Sequence, residues 1–225
     1  MYTAVIFDID GTLVDSNDAH AEAWVRALAE RGHRVEFSRV RPLIGMGSDK
    51  LLPKLIGVSA ESDEGRALGD RRREIFLKDF VPALQPTRGA RELLEWLRDE
   101  RMTLAVATSA HSEELKDLLR IAGATKMIDA ATTSDDADRS KPDPDIVQAA
   151  VNRTGCKVAD IVMIGDTPYD VEAALRAGIG IIALRCGGWD DAALDGALAV
   201  YDDPGDLLER YDLSPFKRPL PIRSA

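Results

Sequence analysis

Hydrophobic residues along the chain fall into two interleaved patterns. Short apolar runs at Thr3–Phe7, Leu104–Ala107, about Met127–Ala131, Ile161–Ile164 and Ile179–Leu184 have the length of buried strands. Leu198–Tyr201 is a weaker run, suited to a sheet edge. Between several of them the spacing becomes helical. Leu93, Leu94 and Leu97 share one face of a helix over Arg91–Arg98, and Leu115, Leu118 and Leu119 share one over Glu113–Ile121. Asp143-Pro144 predicts an N-cap and first turn for a helix running through Val151. Thr167-Pro168 predicts the same for Val171–Ala177, which Gly178 ends. Strands alternating with helices predict an α/β fold, a doubly wound parallel sheet whose ligand site lies beyond the carboxyl ends of its strands.

From Asn17 to about Gln85 the alternation stops and only helical patterning remains. Ala19, Ala23, Trp24, Ala27 and Leu28 form one apolar stripe. Leu51, Leu52, Leu55 and Ile56 suggest a second, after the turn Gly45-Met46-Gly47. Arg66–Phe80 reads as a charged, surface-facing helix. The expected division is an α/β core from residues 1–15 and 86–225 with an all-helical cap domain from 16–85. An insert directly after the first strand sits over the cleft, where a lid belongs. The tail from Ser214, with Pro215, Pro219 and Pro221, is expected to be irregular or disordered.

The chain has 225 residues, 45% of them hydrophobic and 30% charged, enough for one large domain with a smaller insert. A net charge of −10 argues against nucleic acid or an anionic membrane as the main partner. A small anionic substrate is compatible with it, because a metal and a few cations can invert the field inside a cleft. Cys156 and Cys186 follow no metal-binding or redox spacing. With no signal-peptide pattern and no membrane-length apolar run, a cytoplasmic protein is expected; its oligomeric state is left open.

The chemistry gathers at the ends of the predicted strands. The first strand runs into Asp8-Ile9-Asp10-Gly11-Thr12. Strand alternation sends Asp8 and Asp10 to the same side, where two like charges are costly unless a cation sits between them or they simply face water in a turn. A divalent cation with oxygen ligands, most plausibly Mg²⁺, suits the pair. The second strand ends at Thr108-Ser109, hydroxyls able to hydrogen-bond phosphate oxygens, although strands often end in such residues. Lys141 stands in Ser140-Lys141-Pro142-Asp143-Pro144-Asp145; a lone lysine is ordinarily solvated. Ile161–Ile164 leads to Gly165-Asp166-Thr167-Pro168-Tyr169-Asp170, where Asp170 also suits the first turn of a helix.

Together these four strings resemble the ordered motifs of the haloacid-dehalogenase-like hydrolases, with Asp8 through Ser16 resembling the phosphatase branch. The resemblance spans essentially the whole chain and implies a Rossmann-like core with a helical cap. It implies an enzyme, a phosphatase that hydrolyses phosphoric monoesters with Mg²⁺ and an aspartyl-phosphate intermediate. By that resemblance Asp8 is the nucleophile, Asp10 the proton carrier, and Thr108, Ser109 and Lys141 bind the transferring phosphoryl group. Mg²⁺ is held by the carboxylates of Asp8 and Asp166 and the backbone carbonyl of Asp10, with Asp170 in support. Asp10 also sorts among reactions: the dehalogenase branch resembles Asp-x-Tyr, and a phosphonatase lacks an acid at this position. A P–O bond is therefore the expected target.

His20 and Trp24, one helical turn apart, match the phosphoglycolate-phosphatase and β-phosphoglucomutase-like members. Trp24 suits core packing, while His20 suits either a contact near Asp10, at the substrate, or an open helix face. Gly45-Met46-Gly47-Ser48-Asp49-Lys50 lacks the arginine that mutases carry after this turn, although Lys50 could substitute. Arg41, Lys50 and Lys54 are anion contacts or a solvated face. His111, after the second motif, borders the substrate or has no role. A phosphatase for a small phosphoglycolate- or sugar-phosphate-like metabolite is the leading expectation. A phosphosugar mutase is the alternative, and a metal- or phosphate-binding scaffold the non-enzymatic one.

Overall fold

The computed structural model of the chain describes residues 1–217. Six strands form its sheet: β1 (Ala4–Phe7), β2 (Thr103–Ala107), β3 (Ala130–Thr132), β4 (Ile161–Gly165), β5 (Gly180–Leu184) and β6 (Ala199–Tyr201). They run parallel in the order β3-β2-β1-β4-β5-β6. The chain winds from β1 outward to β3, then returns to place β4 on the other side of β1. That reversal opens a crevice at the carboxyl ends of β1 and β4, where doubly wound sheets bind ligands.

Side-chain alternation along β1 explains why the sheet is covered on both faces. Val5 and Phe7 pack with Leu93, Leu94 and Leu97 of α5 (Ala90–Asp99) and with Leu115 and Leu118 of α6 (Ser112–Ile121). Ala4 and Ile6 face the other way, toward Ile146, Val147 and Ala150 of α7 (Asp145–Thr154) and Ala173 and Ala174 of α8 (Pro168–Arg176). A further short helix, Pro204–Glu209, puts Leu207 into the first of these clusters.

The region from Asn17 to Ala83 is helical: α1 (Asn17–Glu30), α2 (Phe37–Val40), α3 (Ser48–Ile56), α4 (Asp63–Ile75), a π-turn (Phe76–Phe80) and a 3₁₀ turn (Val81–Ala83). Trp24, Leu28, Val40, Leu51, Leu52 and Leu68 form a core of its own. Phe76 and Ile75 instead join the core beneath the sheet, where the chain returns to it. A π-turn carries one extra residue per turn and is common at functional positions in helices.

Three expectations are corrected. The third strand begins at Ala130 rather than near Met127, because Met127 closes a turn onto the Ala124 carbonyl and pairing starts with Asp129 against Leu104. The helix expected to be capped by Asp143 starts at Asp145 with Pro144 at its N-cap; the Asp143 carboxylate accepts from Lys50 at 2.6 Å instead. The charged helix over Arg66–Phe80 is not wholly at the surface, since Leu68, Arg72 and Ile75 are buried at helical spacing. Thr167, by contrast, caps α8 as expected, accepting from the Asp170 N–H while Asp170 accepts from the Thr167 N–H. Of the expected irregular tail, Pro219 and Pro221 lie outside the described residues. No described helix is long and apolar enough to cross a membrane.

Leu52 is fully buried in the core of the helical region. Leu52→Ala should lower stability by roughly 2–5 kcal/mol, the range for a buried leucine that leaves a cavity, as measured by urea unfolding.

Candidate active site

Parallel strands deliver their carboxyl ends to one edge, and three chemical side chains follow directly: Asp8 after β1, Thr108 after β2 and Asp166 after β4. Lys141 reaches the same edge from the loop before α7. Its Nζ donates to Asp8 Oδ1 at 2.6 Å and to Asp170 Oδ1 at 2.8 Å. The lysine is fully buried, so its stem is threaded through the fold and its charge meets only carboxylates. Asp170 is fixed in turn by the Thr167 hydroxyl, which donates to Oδ2 at 2.7 Å.

Asp166 accepts from the Thr12 hydroxyl at 2.7 Å and from Asn17 Nδ2 at 2.9 Å. Gly11, at φ +80°, lets the turn after β1 close against it. A Cβ at Gly11 would collide with both the Asp166 carboxylate and Asn17. Only glycine satisfies both the left-handed backbone and the close approach. Asp8, Asp166 and Asp170 each offer an oxygen within 4.8 Å of the other two, all buried.

Burial dominates the electrostatics of this cluster. It pushes the Asp8 carboxyl well above its usual range, against the pull of Lys141 and with help from Asp170 and Asp166. It pushes Asp166 up to about 7, with Asp170 adding to the rise and Thr12 and Asn17 opposing it. For Lys141 burial disfavours the charge, but Asp170 and Asp8 more than reverse it and raise its pKa. The carboxylates outnumber the ammonium, and this surplus of buried negative charge invites a cation.

Asp10 follows a separate path. The sequence suggested a cation between the Asp8 and Asp10 carboxylates, but different donors meet the two charges, Lys141 for Asp8 and Ser16 with His20 for Asp10. Ser16 Oγ donates to Asp10 Oδ1 at 2.6 Å, and His20 Nε2 lies 2.8 Å from the same oxygen. Burial raises the Asp10 pKa, but His20, Ser16 and Arg72 outweigh it and hold the carboxyl below its ordinary value. His20 stacks on Phe76 with centroids 3.8 Å apart. Arg72 Nη1 approaches His20 Nδ1 at 3.4 Å. A guanidinium can only donate, so Nδ1 accepts and the proton sits on Nε2, directed at Asp10. Arg72 Nη1 also donates to Glu114 Oε1 at 2.5 Å.

Asp8 and Asp10 open onto one cavity of about 210 Å³, between the sheet edge and the helical region. Its wall includes His20, Trp24, Gly45, Arg72, Ser109 and His111. Ser109 donates to the Gly45 carbonyl at 3.2 Å, and Ser140 Oγ accepts from the Gly47 N–H at 3.0 Å, so the loop around Met46 lies against the sheet edge. Thr108 is fully buried and does not line the cavity wall, which its neighbours Ser109 and Ala110 do; its hydroxyl accepts from Ala110 N at 3.0 Å. Of the cations considered as anion contacts, Arg41 donates to Asp18 and to the Gly187 carbonyl, and Lys50 is paired with Asp143. Lys54 is exposed, away from the cavity wall.

Four residues here went unremarked in the sequence. Thr12 follows the Asp8-Ile9-Asp10-Gly11 turn, but nothing local points its hydroxyl to Asp166. Asn17 offers no signal, because only the folded turn brings it to Asp166. Arg72 left a partial one: the helical spacing of Leu68 and Ile75 admits Arg71 and Arg72 equally, and only Phe76, four residues further on, favours Arg72. Glu114 could have been read as the N3 acid of α6, and it does accept from the His111 N–H.

The family model for haloacid dehalogenase-like hydrolases matches residues 5–184. The chain is 30% identical to validoxylamine A 7′-phosphate phosphatase of Streptomyces hygroscopicus subsp. limoneus, over 82% of this chain and 86% of that protein. It is 30% identical to phosphoglycolate phosphatase of Rhodospirillum rubrum, over 92% of this chain and 90% of that one. A crystal structure of a hydrolase from Pseudomonas syringae superimposes with a TM-score of 0.87 at 31% identity, covering 94% of this chain and 98% of that one.

Asp166 sits near pKa 7 in the fold against 3.8 ordinarily, so between those values the folded state keeps a proton that the unfolded chain has lost. With chelator present, its contribution to stability should therefore fall as pH rises from about 4 to about 7 and then level off. Asp166→Asn should flatten that part of the profile, measured by urea unfolding in EDTA across the same range.

Proposed function

The chain belongs to the haloacid dehalogenase-like hydrolase family, and from that membership we propose that it is a magnesium-dependent phosphatase. Its substrate is a small phosphorylated metabolite, and its nucleophile is Asp8. One observation carries this: Asp8 and Asp10 open onto the same cavity, the first held by a buried ammonium and the second by an imidazole. That pairing separates a nucleophile from a proton carrier two residues away.

The donor set fits a hard divalent cation, since the buried cluster offers only carboxylate oxygens and carries excess negative charge. Asp8 and Asp166 would hold Mg²⁺ through their carboxylates, with the Asp10 carbonyl, while Asp170 is already engaged by Lys141 and Thr167. Bound there, Mg²⁺ supplies charge neutralisation for a carboxylate facing a phosphate dianion.

The residues perform the rest. A carboxylate oxygen of Asp8 attacks phosphorus, the bond to the ester oxygen breaks, and an aspartyl phosphate forms. Asp10, carrying a proton taken up from solvent or kept from the preceding turnover, gives it to the departing alkoxide, which is too basic to leave unaided. Water then attacks the phosphorus of the aspartyl phosphate, Asp10 takes its proton, and phosphate departs with Asp8 restored. An Asp10 carboxyl held below its ordinary pKa by the Nε2–H of His20 matches the proton-accepting form needed for this second step. Lys141 opposes the rise that burial imposes on the Asp8 pKa and aims its carboxylate, and Thr108 and Ser109 offer hydroxyls to the transferring oxygens. Residues 16–85 act as the cap: the loop around Met46 meets the sheet edge and limits the access of bulk water.

Hydrolysis is favoured over mutase chemistry because Lys50, the residue available to grip a second phosphate, is committed to Asp143 at 2.6 Å. A passive phosphate- or metal-binding scaffold would have no use for Asp10 and its histidine. Protein with Mg²⁺ should hydrolyse p-nitrophenyl phosphate and lose that activity in EDTA. Asp8→Asn should abolish turnover, and Asp10→Asn should lower kcat by about 10²–10⁴-fold, the usual share of acid–base catalysis. Glucose 1-phosphate should release inorganic phosphate without yielding glucose 6-phosphate. Full turnover by Asp8→Asn would remove the nucleophile assignment.

A further inference from the structure

Of the three acids in the buried cluster, Asp166 is held differently from the other two. The Lys141 ammonium donates to Asp8 and to Asp170, and Asp170 also takes the Thr167 hydroxyl and N–H. Among the described residues Asp166 is held by neutral donors alone, Thr12 on Oδ1 at 2.7 Å and Asn17 on Oδ2 at 2.9 Å. One donor on each oxygen fixes the plane of the carboxylate. Each carboxylate oxygen has two acceptor positions, so both still have one to offer a cation.

Asn17 reaches Asp166 at a local cost to α1. Ser16 is the N-cap of that helix, yet its hydroxyl donates to Asp10 and caps no N–H of the helix. Asn17, the next residue, is buried and gives its side-chain N–H to an acid 149 positions away. An ionised carboxylate only accepts, so the amide must present its nitrogen to Asp166. Its Oδ1 is then left buried with no hydrogen-bond partner among the described residues. A missing cap and an unpaired buried carbonyl both cost stability. The start of α1 thus serves Asp10 and Asp166 rather than its own helix. Room for the amide exists because position 11 is glycine, since a Cβ there would collide with Asn17 Nδ2.

We propose that Asn17 is a positioning residue for the divalent cation: its amide holds the Asp166 carboxylate in the orientation that ligates, and without it the metal binds weakly. The proposal rests on the metal-dependent function above and adds to it a residue outside the four strings that carry the family resemblance. A carboxylate already fixed at both oxygens loses little freedom when it ligates, whereas one held by Thr12 alone must first be ordered. Asn17 acts through Asp166 and has no contact with the phosphoryl group in this role. It is also the first residue of α1, so the helical region supplies part of the support of a metal ligand that belongs to the sheet.

The test is a titration of metal-stripped protein with MgCl₂, followed by the backbone amide NMR signals of Gly165 and Asp166. Two variants are compared with wild type: Asn17→Ala, and Asn17→Leu, which keeps the branched shape and lacks the donor. Each should raise the Kd for Mg²⁺ by about 10–100-fold, the usual cost of removing a partner that orients a metal ligand. Ser62→Ala removes the N-cap of α4, which takes no part in the cavity wall, and should leave the Kd at its wild-type value. That control separates a lost partner from a loosened helical region. A wild-type Kd in either folded Asn17 variant would overturn the proposal and leave the phosphatase function standing. Wild-type protein whose signals ignore MgCl₂ would sink the metal dependence and the proposal together. Should neither variant fold, the wild-type spectrum decides. The Asn17 side-chain N–H signals must then move with the same midpoint as those of Asp166, and signals that stay in place overturn the proposal.

Discussion

A single ammonium group organises the centre of this molecule. Lys141 carries its charge into a fully buried position and is tolerable there only because Asp8 and Asp170 lie within hydrogen-bonding distance of it. The two carboxylates come from different elements, one from the end of β1 and the other from the first turn of α8. Asp170 cannot drift, since the Thr167 hydroxyl and N–H hold its second oxygen. The lysine therefore ties a sheet edge to a helix start and to the loop before α7. Removing it would leave buried carboxylates facing one another, which costs far more than one surface ion pair is worth.

Around that centre, several polar seams join the helical region to the sheet edge. Tyr169 donates to the Pro42 carbonyl at 2.6 Å, Arg41 to the Gly187 carbonyl at 2.7 Å, and Lys50 to Asp143. Arg72 to Glu114 is the buried member of the group. Polar seams suit surfaces that separate, because each group can find water when parted. An apolar seam of equal size would resist opening. Apolar contacts come from Ala23 and Ala27 of α1 and from the return path through Ile75, Phe76 and Val81, which join the sheet's own core.

The sheet was legible in the sequence because burial on both faces turns strands into uninterrupted apolar runs, as at Ile161–Ile164. The candidate site residues were legible because they sit at fixed distances from those runs. Less legible was whatever depends on a partner remote in sequence. Asp143 looked like a helix cap until Lys50, brought over from the helical region, claimed its carboxylate. Arg72 fell within a helix read as surface-facing; its spacing from Leu68 and Ile75 is matched by Arg71, which is exposed, so the fold rather than the pattern singles it out. The link from Arg72 through His20 to Asp10 joins α4, α1 and the turn after β1, and no local pattern encodes such a junction.

The hydrogen bond between Thr12 and Asp166 spans 154 positions, and that between Lys141 and Asp8 spans 133. During synthesis the amino-terminal aspartates emerge from the ribosome long before their counterparts. A nascent chain lacking β4 has neither the centre of its sheet nor the acid beyond it, so it carries no partly active form. Such distant pairings also make for slow folding, because loop closure must precede the contacts that reward it. The cluster around Lys141 is thus completed late, only when the chain through Asp170 at the start of α8 is available to fold.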